Sequence, residues 1–284
     1  MQHVEFFHRD HFHQHFHRKK AKLSLSKFID FFWETDFENL WTKYPHGFTD
    51  ALFPDIGYTY LINLGTPFKM QLDDDLFEIK SDAFLPRYKN ILTMHSPGNK
   101  IFGIKFKVSP VLFQKKINFF EYKEYIFPLT YLIDKEIIEK IKSQDSFLKR
   151  LEFTSAYYDN IIRKYTGSMK PADVVTDIIK NSYQGDFNTT IEKYAKHYNI
   201  STRTLQRYFE ATTSITGKQA LQIIRIRKAI AAFVESPSSF NYSDFGYCDY
   251  SHFYKHINQF LKKHKTANIQ SHLQLLQGSG IINY

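Results

Sequence analysis

The chain has 284 residues, enough for two domains with separate cores, and 43% of them are hydrophobic, which excludes a disordered chain. The single cysteine, Cys248, excludes an internal disulfide framework, and no apolar run approaches the roughly 20 residues of a membrane span. The formal net charge is +9, concentrated in residues 166–284, where 14 Lys/Arg stand against 8 Asp/Glu. A basic C-terminal third suits phosphate neutralisation. With no apolar signal core near the N-terminus, the expectation is a cytoplasmic protein with no membrane partner.

Residues 1–22 are biased toward His, with His11, His13, His15 and His17 alternating with Phe12, Gln14 and Phe16. On a strand the four His would share one face and suit a metal ion. No acidic or Cys ligand closes such a site, so the segment is read as a flexible tail, with no metal or cofactor assigned.

From Lys27 to about Lys107 the aromatic and β-branched runs predict strands: Phe28–Glu34, Tyr58–Leu64, Phe68–Leu72 and Lys100–Lys107. The last alternates, with Ile101, Gly103, Lys105 and Lys107 on one face and Phe102, Ile104 and Phe106 on the other. Turn signals at Asp55–Gly57, Gly65–Pro67, Asp73–Asp75 and Ser96–Gly98 separate the runs, as in a small barrel or sandwich. His46 and His95 are too isolated to make a ligand set.

The period then becomes helical. Ser109-Pro110 opens a helix, and further helices are predicted near Asp134–Lys142 and Asp145–Tyr165. In the second of these, Leu148, Leu151, Thr154, Tyr158, Ile161, Ile162 and Tyr165 form a stripe that suits either packing on the barrel or a homodimer contact. Residues 166–171 read as a linker, and Ala172–Tyr183 as the first helix of a C-terminal domain.

Residues 189–257 hold a helix–turn–helix pattern, an amphipathic connecting helix, and a fainter copy of the pattern. Thr189 and Glu192 have the spacing of a capping box, Asn199 tolerates a left-handed turn, and Ser201 can cap the next helix. That helix buries Leu205, Tyr208 and Phe209 and leaves Arg203, Gln206 and Arg207 on one exposed side. Arg can bond bidentately to guanine and Gln to adenine, so these are candidate DNA contacts. The connecting helix, about Lys218–Val234, would set the spacing of two recognition helices along the duplex.

The region 172–262 resembles the AraC/XylS-type DNA-binding domain. The likeness rests on Leu205-Gln-Arg-Tyr-Phe209, on Arg225-Ile-Arg-Lys-Ala229, and on Gly246-Tyr-x-Asp-x-Ser-His-Phe253. It implies base or phosphate contacts from Arg203, Gln206 and Arg207 in the first unit. In the second it implies contacts from Tyr250, Ser251, Tyr254 and Lys255, with His252 and Phe253 structural. Ser214, Asn241, Tyr242, Lys262 and Lys265 depart from the family pattern, which predicts a second unit that packs differently or contacts mainly phosphate.

Trp33-Glu34, Gly47–Asp50, Tyr58–Leu64, Leu85-Pro-Arg87 and Phe102–Pro110 resemble the cupin-like sensory domain that precedes such regions. The expected fold is α+β: a mainly-β cupin-like barrel followed by helices over 23–165, then an all-α double helix–turn–helix domain over 172–265 and a tail over 266–284. The expected function is a sequence-specific regulator of transcription that binds double-stranded DNA, with a small-molecule effector, a homodimer partner and RNA polymerase as further partners. Effector-binding residues are not assigned. The alternative is a barrel enzyme or metal-binding protein with a basic helical accessory domain, although no nucleophile elbow, phosphate loop or zinc-spaced cluster is present. A single-strand or RNA binder would need exposed aromatics, whereas those here fall mostly on core stripes.

Overall fold

The computed structural model describes residues 16–42, 44–185, 187 and 189–261. Among the described residues, ten strands form two sheets. The six-stranded sheet runs β1 (Phe16–Lys20), β2 (Ile29–Asp36), β9 (Lys100–Phe106), β4 (Tyr58–Asn63), β7 (Ala83–Pro86), β10 (Phe127–Pro128). The four-stranded sheet runs β3 (Phe48–Leu52), β8 (Ile91–His95), β5 (Phe68–Leu72), β6 (Asp75–Ile79). All pairings are antiparallel.

The expected α+β arrangement of a β-rich region followed by helices is present, but the cupin-like barrel is not closed: two facing sheets have no backbone ladder between them among the described residues. Ring contacts bridge the gaps instead. Phe37, just after β2, lies 5.1 Å from Phe48 on β3, and Phe77 on β6 lies 6.3 Å from Tyr125, just before β10. Both pairs meet edge to face, a favoured aromatic arrangement that fills the space between the sheet edges.

Residues 16–20 of the expected tail pair along β2 as an edge strand, with the His17 ring stacked on Phe147 at 5.8 Å. A strand partner supplies the hydrogen bonds that a tail would take from water. His11, His13 and His15 lie outside the described residues.

The alternation read in β9 separates two buried faces. Ile101 packs with Leu61, Phe68, Met70 and Ile91 between the sheets, whereas Phe102, Ile104 and Phe106 pack against the helices. Gly103 allows close approach on the first face, because a Cβ there would lie 2.1 Å from the Trp33 ring. Helix α1 (Glu38–Trp41) is a single turn between β2 and β3.

Ser109 accepts a hydrogen bond from the Val111 N–H as expected, but it opens one 3-10 turn, Pro110–Phe113, rather than an α-helix. Helices α2 (Lys135–Lys142) and α3 (Phe147–Lys164) then cover the six-stranded sheet. The stripe on α3 buries Thr154, Tyr158 and Ile161, while Leu148 at its start is 51% exposed. Arg150, which the stripe did not include, is buried and holds Glu34 of β2 through two hydrogen bonds of 2.7 and 2.8 Å.

Five helices complete the described chain: α4 (Lys170–Gln184), α5 (Ile191–His197), α6 (Thr202–Thr213), α7 (Gly217–Glu235) and α8 (Tyr250–Leu261). Residues 165–169 join α3 to α4. The buried cluster beneath the six-stranded sheet continues without a break through Val175 and Ile178 of α4 to Leu205 and Phe209 of α6 and Ile224 of α7. A second cluster lies under α7 and α8, formed by Ile226, Ile230, Phe233, Tyr247, Phe253, Ile257 and Phe260 together with Phe53.

Candidate nucleic-acid interface

Helices α5 and α6 are joined by a tight turn built from local chemistry. Thr190, one residue later than expected, caps α5 by accepting from the Lys193 N–H at 3.4 Å. Lys193 is then the third helical residue, so Glu192 is out of phase for a capping box. Glu192 bonds the Thr190 side chain instead, which lowers its carboxyl pKa. Asn199 sits at φ 52°, in the left-handed region, and the Ser201 hydroxyl accepts from the Thr204 N–H at 3.1 Å. Both agree with the expectation for that turn. The reciprocal capping box is found instead at Thr216 and Gln219, opening α7.

Arg203, Gln206 and Arg207 lie on the exposed side of α6, opposite fully buried Leu205 and Phe209. Tyr208 is only half-buried. The Gln206 amide donates to the Glu210 carboxylate at 2.8 Å, which holds the side chain along the helix. Two guanidiniums one turn apart, with an amide between them, form an array of donors that matches the acceptor edges of bases. Lys193 and Lys196 of α5 are exposed as well.

The second unit is built differently. Where a supporting helix would precede Gly246 there is only a 3-10 turn, Tyr242–Phe245, started by the Asn241 side chain accepting from the Ser243 N–H at 3.1 Å. Gly246 then reverses the chain at φ 72°. Asp249 caps α8 by accepting from the His252 N–H at 2.7 Å. The departures at Asn241 and Tyr242 thus coincide with a shortened element, because an Asx turn competes with helix extension.

Tyr250, Ser251, Tyr254 and Lys255 share one side of α8 and line an open depression of about 550 Å³. Tyr250 and Tyr254 stack at 6.2 Å. Asn258 and Gln259 extend the same face, a continuation not read from the sequence, although their spacing of eight and nine residues from Tyr250 carries the signal. Phe253 is buried, and His252 turns inward to lie 5.4 Å from the Tyr247 ring and 4.7 Å from His256. Burial pushes the Tyr247 hydroxyl up to about 12.

Helix α7 spans about 28 Å for its 19 residues. Arg225 ties the two units together, donating to the Phe187 carbonyl at 2.7 Å and to the Gly246 carbonyl at 3.5 Å. Arg227 points the other way, into the sheets. It donates to the Pro54 carbonyl at 2.9 Å, and its Nε stands 3.8 Å from Asp55. Lys105 of β9 lies 3.4 Å from the same carboxylate, and Tyr183 donates to it at 3.4 Å. Burial alone would raise the Asp55 pKa, but Arg227, Lys105 and Arg87 outweigh it and hold the group well below the usual carboxylate range. Sequence patterns give no signal for this cluster, because its members come from separate elements.

Between the sheets, a cavity of about 50 Å³ is lined by apolar Phe31, Trp33 and Met70 and by polar Asp50, Arg87 and His95, among others. His95 bonds Asn99 at 2.7 Å and packs among Phe37, Phe48 and Phe68, which is a structural role. Among the described residues no three His, Cys, Asp or Glu side chains converge as a metal ion requires, and no helix is long and apolar enough to cross a membrane.

No family model matches the chain, and no curated protein matches it. Among solved structures it is similar to ToxT from Vibrio cholerae, with 13% identity and a TM-score of 0.42 over 87% of this chain and 95% of that one. It is similar also to ToxT bound to (E)-4-(8-methylnaphthalen-1-yl)but-3-enoic acid, with 12% identity and a TM-score of 0.44 over 92% and 100% of the two chains. The AraC-like transcriptional activator CuxR shows 11% identity and a TM-score of 0.28 over 80% and 90%.

Proposed function

We propose that the chain is a transcriptional regulator that binds double-stranded DNA sequence-specifically, and not an enzyme. One observation carries this reading: two short capped helices, α6 and α8, each expose a polar face of base-competent side chains and are joined by a single 19-residue helix. On α6, Arg203 and Arg207 would bond guanine edges or phosphates, and Gln206 would leave Glu210 to bond adenine. On α8, Tyr250, Ser251, Tyr254 and Lys255 would make mainly phosphate and sugar contacts, which position the protein on the duplex. The cavity between the sheets, at about 50 Å³, would have to widen to take a small effector, and the exposed end of α3 at Leu148 would serve a second copy of the chain. Contact with RNA polymerase belongs to the same reading.

The test is selection from a randomised duplex pool, comparing wild type with Arg203→Ala/Arg207→Ala. A preferred motif recovered by wild type and lost by the variant supports the reading. Weak binding without a motif, equal in both proteins, overturns it.

A further inference from the structure

Both recognition helices rest their C-terminal ends on the sheets. At the end of α6, buried Ser214 lies near the side chain of Tyr58 on β4, whose hydroxyl donates to the Phe119 carbonyl at 2.8 Å. At the end of α8, the Phe260 carbonyl accepts from the Asn90 amide at 2.9 Å, across 170 positions of sequence. The last four carbonyls of a helix have no partner within it. Here one of them is satisfied by a buried side chain from the turn between β7 and β8.

The connection is apolar as well. The ring of Phe53, which follows β3, stacks on Phe260 at 5.8 Å and is 3% exposed. Among the described residues it is the one member of the second buried cluster that comes from the N-terminal sheets. The next two residues, Pro54 and Asp55, hold Arg227 of α7, and Asp55 also receives the Tyr183 hydroxyl of α4. Three consecutive residues thus touch three helices. The second unit has only a 3-10 turn where a supporting helix would stand, and the sheets occupy the supporting role.

We propose that Phe53 and Asn90 are positioning residues that fix the angle of the second recognition helix relative to the first, so that the sheets enforce the rotational phase of the two DNA half-sites. The inference rests on the DNA-binding reading given above. Helix α7 fixes the distance between the units, but a single helix leaves rotation of α8 about its own attachment to side-chain packing. Phe53 and Asn90 supply that packing from outside the helical region. Arg87 links the same segment to the cavity, since it lines the cavity and donates to the Phe53 carbonyl at 3.2 Å.

The experiment uses the full chain and duplexes in which the two halves of the selected motif are separated by inserted base pairs. For wild type, inserting half a helical turn, about 5 base pairs, moves the second site to the opposite side of the duplex and weakens binding about tenfold or more. In Phe53→Ala and Asn90→Ala that penalty falls to about threefold or less, while affinity for the first half-site alone is unchanged and Phe53→Leu keeps most of the wild-type preference. Amide exchange without DNA is the second readout, with faster exchange in α8 than in α6 for both alanine variants. Unchanged spacing penalties in folded variants overturn the proposal, and so does unchanged exchange in α8. If wild type selects no motif, the DNA-binding reading fails first, and the exchange result still decides whether the sheets hold α8.

Discussion

Replacing Arg150 by Met should destabilise the chain by about 3 kcal/mol, the lower end of the range for breaking a buried ion pair. The guanidinium of α3 meets the Glu34 carboxylate through bonds of 2.7 and 2.8 Å and also donates to the Gln144 carbonyl, and the Arg150 and Glu34 side chains are 7% and 5% exposed. Met preserves the stem but leaves a buried carboxylate whose remaining cation is Lys100, 3.6 Å away and 39% exposed. That residual attraction is why the lower end of the range applies. The loss corresponds to a fall of about 6–12 °C in Tm at about 2–4 °C per kcal/mol for a domain of this size. Urea unfolding followed by circular dichroism and by the fluorescence of Trp33 and Trp41 measures it. The double variant Glu34→Leu/Arg150→Met should recover most of the stability, since two apolar groups of similar volume leave no uncompensated charge. A single variant within 1 kcal/mol of wild type, or a double variant as unstable as the single one, would refute the reasoning.

Two further outcomes concern the helical region. Asn199→Val places a β-branched residue at φ 52° and should cost about 1–2 kcal/mol in chemical unfolding, whereas Asn199→Gly should be neutral or slightly stabilising. The pKa of His256 is lowered by burial, reinforced by the nearby His252, Arg225 and Lys255. The unfolded chain therefore binds this proton more readily, so the contribution is fully present above the ordinary imidazole value and is lost as pH falls below it toward the folded value. Melting curves at pH 7.5 and pH 5 should show a smaller loss on acidification for His256→Gln than for wild type, and equal losses would remove His256 as the cause.

Much of the local structure is legible in the residues themselves. Strands with aromatic or alternating runs, such as Tyr58–Asn63 and Phe68–Leu72, and helices with a 3.6-residue stripe, such as Phe147–Lys164, fall close to their predicted positions. The strands without a prediction lack that pattern. Ala83–Pro86 is buried on both faces and ends in proline, and Phe48–Leu52 carries an aspartate that is itself buried. Strand Asp75–Ile79 is hidden because the acidic turn before it reads as solvent-exposed, although Asp73 takes the left-handed conformation a tight hairpin needs. In the candidate interface the exposed faces of α6 and α8 agree with helical spacing. Spacing could not supply partners distant in sequence: Asn90 for Phe260, Pro54 for Arg227, and Phe53 for the second cluster. Such contacts depend on tertiary packing, which leaves no periodic trace in one chain.

The unbroken core has a consequence for the segment that joins α3 to α4. Thr166, Gly167 and Ser168 are exposed and offer a protease easy access, yet covalent continuity there is not what unites the molecule. Val175 and Ile178 lie in the same buried cluster as Phe102 and Tyr60, and Lys27 reaches across to Asp173 at 2.7 Å. A chain severed at this point would hold together as a tight complex of two fragments. For the same reason, grafting the helical region onto a foreign sensor would carry a raw apolar surface with it, and the new host would have to be recut to match.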